Sequence, residues 1–153
     1  MTKANLSSNS KNRHFQITVV GGGLTGSLMT YILIKSKIVP KKDLCWINPI
    51  TSIKDDNRVS FYNYKNFQSL TKFGLNKLLK KEEINNINTI EILNEKQKRP
   101  LIFKENKGLG VICKNFVIQK LLSKESKNAT LINSKVIDSS VDEYQRILKL
   151  ENG

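Results

Sequence analysis

The sequence has few of the residues on which enzyme chemistry most often depends. Its 153 residues include one histidine, two cysteines and 13 acidic residues. Cys45 and Cys113 lie far apart and lack the CxxC spacing of metal and redox sites, so we expect buried thiols in a reducing cytosol. His14 stands at the start of a predicted strand, with no serine and aspartate pattern to support catalysis. The sequence therefore predicts no metal site and assigns no catalytic residue.

Long hydrophobic runs are also missing. The longest apolar stretch, from Leu28 to Val39, is interrupted by Lys35 and Lys37 and falls short of the roughly 20 residues that cross a bilayer. Residues 1–13 lack the apolar segment of a secretory signal, and their polar composition predicts a disordered tail. The hydrophobic fraction of 39% predicts one folded domain, or part of one, over residues 14–153.

The charge is strongly positive, at +13. Lysine supplies 22 of the 26 cationic residues, and lysine, isoleucine and asparagine together make up 56 of the 153 positions, as an AT-rich coding sequence produces. The lysines are scattered among acidic residues, whereas a surface that follows a phosphate backbone concentrates them. We therefore expect no specific nucleic-acid partner. Binding to a membrane surface or to nucleic acid through basic residues is the least favoured of the functional hypotheses.

The first fifty residues predict a βαβ unit. Apolar and β-branched residues over 14–20 indicate a strand, and glycines 21–23 end it. Apolar residues at helical spacing over 24–37 indicate a helix, and the short apolar run 43–48 indicates a second strand. Two strands joined by a helix are expected to pair in parallel.

The rest of the chain predicts a mixture of short elements. These are helices over 59–79 broken near Gly74, a hairpin of 89–93 with 101–103, a brief segment 111–113, a helix 115–124, and strands 129–132, 136–137 and 145–150. The fold class is therefore α/β, with a parallel unit followed by short antiparallel strands.

The glycines of the βαβ unit follow the pattern GxGxxG, with Gly21, Gly23 and Gly26 in the three required places. The first allows the tight turn, the second lets a pyrophosphate approach the backbone, and the third lets the helix pack on the sheet. Leu24 and Thr25 begin the helix, whose N-terminal N–H groups would face the phosphates. A glycine-rich turn without a ligand remains the alternative.

Asn48 stands where this motif usually has an acidic residue at the end of the second strand. An amide can hydrogen-bond an adenosine ribose. As a neutral acceptor it should hold the ribose less strongly than a carboxylate.

Three stretches resemble the FAD-dependent aromatic-ring hydroxylases, and within them the ubiquinone-biosynthesis branch, the 2-octaprenyl-phenol and 2-octaprenyl-6-methoxyphenol hydroxylases. The first is similar to the family's N-terminal FAD fingerprint, the second to a segment with an Asp-x-Arg before a helix, and the third to a segment leading into another helix. They read ITVVGGGLTGSLMTYIL, DDNRVSFYNYKNFQSLTKFGL and GLGVICKNFVIQKLL. Their order fits the family over about residues 15 to 150.

The resemblance implies roles for further residues. The three motif glycines would contact the FAD pyrophosphate, and Asn48 would stand at the ribose position. Arg58 matches an arginine that lies against the FAD, and its rigid fork of donors suits a phosphate or ribose. Asn115 matches the family's asparagine, although Lys114 replaces the acidic residue usually beside it. Gln119 faces either the cofactor or solvent, and spacing does not decide between them.

The resemblance also implies an activity. Family members use FAD and NAD(P)H to hydroxylate a phenol ring, here a polyprenyl-phenol of ubiquinone biosynthesis. The family's Asp-Gly and Gly-Asp motifs and its substrate sheet are missing from this sequence. We therefore expect the N-terminal part of a Rossmann-like FAD-binding domain, truncated by a split or decaying gene or by artificial shortening, and inactive alone.

The expected partners follow from the same resemblance. They are the missing C-terminal half and other ubiquinone-biosynthesis proteins, and the expected location is the cytoplasm, with peripheral contact to the inner membrane. The alternative is a noncatalytic Rossmann-like remnant or a small nucleotide-binding module.

Overall fold

The computed structural model describes residues 13–50, 52–94 and 99–152. The predicted tail therefore lies outside the described residues, apart from Arg13. Within the described ranges the chain forms ten strands and three α-helices. They are β1 (Ile17–Val20), α1 (Leu24–Ser36), β2 (Leu44–Ile47), β3 (Val59–Asn63), α2 (Tyr64–Lys72), β4 (Asn85–Ile87), β5 (Thr89–Ile92), β6 (Leu101–Lys104), β7 (Gly110–Lys114), α3 (Asn115–Ser126), β8 (Thr130–Ile132), β9 (Val136–Val141) and β10 (Arg146–Leu150).

A parallel sheet of three strands, in the order β1-β2-β8, forms the base of the fold. Ile17 lies opposite Leu44 in the first pair, and Cys45 lies opposite Thr130 in the second. All four residues of the central strand β2 are buried, as expected for a parallel strand covered on both faces. The predicted βαβ unit is confirmed, with α1 as the crossover between β1 and β2.

A second sheet is antiparallel, in the order β3-β7-β4. The prediction of helix from residue 59 was wrong, because 59–63 form a strand that pairs with β7. Their exposure alternates residue by residue, which is the period of a strand with one covered face. The helix begins at Tyr64, where the Asn63 side chain accepts a hydrogen bond of 2.8 Å from the Asn66 N–H. The polar strand β4 was not predicted.

Two antiparallel hairpins complete the described residues. The predicted hairpin is confirmed as β5 paired with β6, although part of its predicted connection, 95–98, lies outside the described residues. The predicted short strand at 136–137 extends to 141 as β9 and pairs with β10. Both hairpins leave large apolar side chains exposed. These include Ile92, Leu93, Leu101, Phe103, Ile137, Val141 and Ile147.

Two clusters of buried side chains meet at α1. One joins α1, α3 and β7 to the segment after α2, and the Tyr31 hydroxyl donates a 2.6 Å hydrogen bond there to the Phe73 carbonyl. The other joins α1 to the parallel sheet through Leu33 and Trp46. The helix therefore separates the two clusters and is packed on both sides.

Both cysteines are buried and free, as predicted. Burial raises the pKa of the Cys45 thiol and of the Cys113 thiol to about 11. These thiols stay protonated at neutral pH and serve as small apolar core residues.

In the described part of the chain, none of the helices has both the length and the hydrophobicity to cross a membrane.

We expect Leu122→Ala to lower the free energy of unfolding by about 2–5 kcal/mol, because its side chain is fully buried in the cluster between α1 and α3. Leu93→Ala is the matched control, since Leu93 is 80% exposed and its loss should change stability by less than about 0.5 kcal/mol. Urea unfolding followed by circular dichroism measures both values. Equal losses in the two variants would contradict the core described above.

Candidate functional site

The glycine-rich turn lies at the carboxyl end of the parallel sheet, between β1 and α1. Gly21 has a φ of +117°, which residues with a side chain rarely adopt. Its N–H donates a 2.9 Å hydrogen bond to the Ile47 carbonyl, so the turn is tied to the end of the neighbouring strand β2. This edge of a parallel sheet is where α/β proteins usually bind ligands.

The other glycines of the turn fall into two kinds. A Cβ atom added to Gly26 would lie 2.1 Å from the Gly21 carbonyl oxygen, and one added to Gly22 would lie 1.5 Å from Asn48 Oδ1. Backbone atoms therefore exclude a side chain at Gly26, while a side chain at Gly22 would have to displace that of Asn48. Gly23 differs, because it is exposed and a Cβ there would meet nothing within 4 Å. The open side of the turn is at Gly23.

The N-terminus of α1 is left uncapped by the described side chains. Gly23 is the N-cap residue, and the first turn of the helix contains no acidic residue. The Ser27 N–H reaches the Gly23 carbonyl at 3.0 Å, while the three preceding N–H groups, of Leu24, Thr25 and Gly26, lie before the first helical acceptor. Such N–H groups carry partial positive charge and suit an anion.

Two side chains from elsewhere in the chain hydrogen-bond to carbonyl groups of the turn. Trp46 Nε1 on β2 donates to the Gly21 oxygen at 2.9 Å. Gln119 Nε2 on α3 donates to the Gly22 oxygen at 2.8 Å, and Ser27 Oγ lies 3.4 Å from the same oxygen. Gln119 therefore faces the glycine turn and not solvent, while its orientation toward a cofactor stays a prediction.

A polar seam joins α3 to α1 behind the turn. The Ser27 and Ser123 hydroxyls are 3.1 Å apart, and Ser126 Oγ donates to the Ser27 carbonyl at 3.0 Å. All three serines are buried. This seam was not predicted, although Gln119, Ser123 and Ser126 follow one another at the helical spacing that places them on one face.

Asn48 is brought next to the glycine turn, as the motif predicted, but its amide is partly engaged. The residue is buried directly after β2, and its N–H donates to the Ile132 carbonyl at 2.9 Å. Its Oδ1 accepts a 2.9 Å hydrogen bond from the Ile50 N–H and lies against Gly22. The side chain therefore packs against the turn at Gly22.

Arg58 and Asn115 lie side by side, because the Asn115 N–H donates to the Arg58 carbonyl at 2.9 Å. The Arg58 guanidinium is largely exposed and pairs with Asp56, with Nη2 at 2.6 Å and Nε at 2.8 Å from one carboxylate oxygen. These hydrogen bonds lower the pKa of the Asp56 carboxyl. Asn115 begins α3, one turn before Gln119, so α3 links this pair to the glycine turn.

Asn115 also carries an unsatisfied acceptor. Its Oδ1 is buried and has no hydrogen-bond partner among the described residues. A buried polar atom without a partner is uncommon in a folded protein. The structure thus gathers the glycine motif and Asn48 on one edge and places Arg58 and Asn115 together at the start of α3. Their contacts with a cofactor remain predictions.

The two kinds of glycine should respond differently to the addition of a methyl group. Gly26→Ala should lower the free energy of unfolding by about 1–3 kcal/mol, because backbone atoms must move to admit the Cβ. Gly23→Ala has open space and should cost about 1 kcal/mol or less, as expected for a glycine N-cap. Chemical unfolding of both variants measures the difference, and an equal cost would show that the turn is not packed as described.

Comparison with known proteins connects this fold to flavoproteins. No protein-family model matches the chain, and no curated protein matches it. Several solved structures do match. The flavin-dependent brominase Bmp2 has a TM-score of 0.68 and 13% identity, and the match covers 92% of this chain and 35% of that one. A flavoprotein/dehydrogenase from Cytophaga hutchinsonii has a TM-score of 0.68 and 13% identity, and the match covers 91% of this chain and 35% of that one. The tetrameric form of 2-methyl-3-hydroxypyridine-5-carboxylic acid oxygenase also matches, with a TM-score of 0.65 and 17% identity. The match covers 93% of this chain and 37% of that one. The chain spans about a third of these proteins and shares with them a mixed α/β fold found in flavin-dependent enzymes.

Proposed function

We propose that this chain is the FAD-binding portion of a flavin-dependent monooxygenase, with a Rossmann-like GxGxxG turn as its phosphate site. The observation that carries the proposal is the uncapped N-terminus of α1 beside the open Gly23. A pyrophosphate needs N–H donors and an approach free of Cβ atoms, and this turn offers both. The likeness in fold to flavoproteins supports FAD over other dinucleotides.

The residues around the turn fit such a cofactor. The N–H groups of Gly23, Leu24 and Thr25 would hold the pyrophosphate. Asn48 would border the adenosine ribose, and its neutral amide would bind the hydroxyls less tightly than a carboxylate. Asn115 Oδ1 is buried without a partner among the described residues, so the Asn115 amide would have to turn outward to accept a hydrogen bond from a cofactor hydroxyl.

Arg58 would bind the cofactor by giving up its ion pair with Asp56. Its guanidinium is exposed and held by a single carboxylate, that of Asp56. An exposed ion pair contributes little to stability, so the exchange of this carboxylate for a cofactor phosphate or ribose is inexpensive.

A bound flavin would supply the chemistry, which would use reducing equivalents from NAD(P)H and one oxygen atom of O2. The protein must bind the cofactor, orient it and exclude water around its reactive ring. Because this chain spans about a third of the matched structures, we assign it the cofactor-binding task and leave the enclosure of the ring to further polypeptide. That polypeptide is the proposed partner.

The narrower proposal concerns the substrate. The three stretches that resemble ubiquinone-biosynthesis hydroxylases support a polyprenyl-phenol ring as the group that is hydroxylated. A substrate with a polyprenyl chain resides in a membrane, so peripheral contact with the inner membrane and with other ubiquinone-biosynthesis proteins belongs to the same proposal.

ADP is the sharpest probe, because the turn would bind the ADP half of FAD. A ligand at 100 times its Kd stabilises the native state by about 2.7 kcal/mol, which raises Tm by several degrees in a chain of this size. We expect both ADP and FAD to produce this shift. An unchanged Tm with ADP, FAD and NAD would contradict the proposal and favour a noncatalytic remnant, while a shift with ADP but not FAD would favour a small nucleotide-binding module.

Gly23→Asp should change stability and binding in opposite directions. An aspartate at the N-cap stabilises α1 by a few tenths of a kcal/mol relative to glycine. Its carboxylate would also occupy the anion site and repel the phosphates of ADP, so the Kd for ADP should rise at least about tenfold. Asn76→Asp, at an exposed position in the 3₁₀ turn Leu75–Lys77, makes the same change in charge and should leave the Kd unchanged. Calorimetric titration measures both, and equal effects would reject the turn as the binding site.

A further inference from the structure

The orientation of the peptide group between Gly22 and Gly23 is fixed from α3. Gln119 Nε2 donates to the Gly22 carbonyl at 2.8 Å, and Ser27 Oγ adds a longer contact of 3.4 Å. Gly22 is itself buried against the Asn48 side chain. Three consecutive glycines have wide conformational freedom, so contacts from outside the turn are needed to select one orientation.

The direction of this carbonyl determines where the next N–H points. In a trans peptide the C=O and the following N–H point in opposite directions, and no cis peptide occurs among the described residues. A Gly22 carbonyl directed at α3 therefore directs the Gly23 N–H away from α3. Gly23 is the residue on the open side of the turn.

Gln119 is itself held in position. It lies on α3 one turn before Ser123 and two turns before Ser126, and these serines bind Ser27 on α1. The carboxamide is therefore presented from a helix that is fixed to the helix following the glycine turn. A donor held in this way can orient a peptide without touching the ligand.

We propose that Gln119 is a positioning residue for the dinucleotide site: its carboxamide orients the Gly22–Gly23 peptide so that the Gly23 N–H faces the pyrophosphate. The inference rests on the proposed function, because it assumes that the turn binds a dinucleotide. It adds a residue outside the glycine motif, 97 positions away from Gly22 in the chain. A role in stability alone would be the competing explanation.

ADP binding to the intact chain tests the role. Gln119→Met keeps the length of the side chain and removes the donor, so the Kd for ADP should rise about tenfold, the size of one lost hydrogen bond with a carbonyl left partly unsatisfied. Gln68→Met is the matched control on the exposed surface of α2 and should bind ADP as the unchanged chain does.

Gln119→Glu tests the role through the pH dependence of the Kd for ADP, which a purely structural role would not change. At neutral pH its carboxylate would face the Gly22 oxygen and repel it, so ADP binding should weaken at least as much as in Gln119→Met. Below the pKa of the glutamate, ordinarily about 4.3, the protonated acid becomes a donor. The ratio of its Kd to that of the unchanged chain, measured at each pH, should therefore fall toward one as the pH is lowered.

The outcomes are distinct. Unchanged ADP affinity in both Gln119 variants, or a loss in Gln119→Glu that does not recover at low pH, would overturn the positioning role while leaving the proposed function standing. A failure of the unchanged chain to bind ADP would overturn both. If Gln119→Met does not fold, as judged by circular dichroism, the pH profile of Gln119→Glu decides the question.

Discussion

The close contact between α1 and α3 is the constraint on which the candidate site depends. Serines on the two helices allow them to approach, and buried hydroxyls at Ser27, Ser123 and Ser126 satisfy one another or a carbonyl where large apolar side chains would hold the helices apart. The glycine turn precedes one helix, and Asn115 and Gln119 lie on the other. Strand β2 holds Gly21 independently of this seam, whereas the Gly22 carbonyl depends on α3 for the hydrogen bond from Gln119.

Hydrophobic periodicity and glycine spacing predict those parts of the fold whose elements are neighbours along the chain. The βαβ unit is readable because strand, turn and helix follow one another and each has its own period. The segment Val59–Asn63 could not be assigned in this way, since its apolar residues suit a helix or a strand. Its pairing with β7, about fifty residues later, decides the outcome. The polar strand Asn85–Ile87 depends on the same distant partner.

The sequence likewise predicts some residues of the candidate site and not the orientation of others. The glycine motif is recognised from its spacing, and the structure requires glycine at Gly21 through its backbone angle and at Gly26 through close packing. The end of the second strand places Asn48 beside this turn. The orientation of Gln119 is different, because spacing along α3 gives its faces but not which face meets α1. Ser123 and Ser126 lie on the same face of α3 as Gln119. Together with Ser27 on α1, these small polar residues indicate which face of α3 packs against α1.

The packing of the glycine turn has a consequence for the gene that encodes it. Glycine codons begin with two guanines, so a genome drifting toward adenine and thymine tends to lose them, and this chain is rich in lysine, isoleucine and asparagine. Four of its eight glycines nevertheless fall within residues 21–26. At Gly21 the backbone angle disfavours any residue with a side chain, at Gly26 backbone atoms exclude a Cβ, and at Gly22 a Cβ would have to displace the Asn48 side chain. Sterics thus act there as a barrier to nucleotide bias.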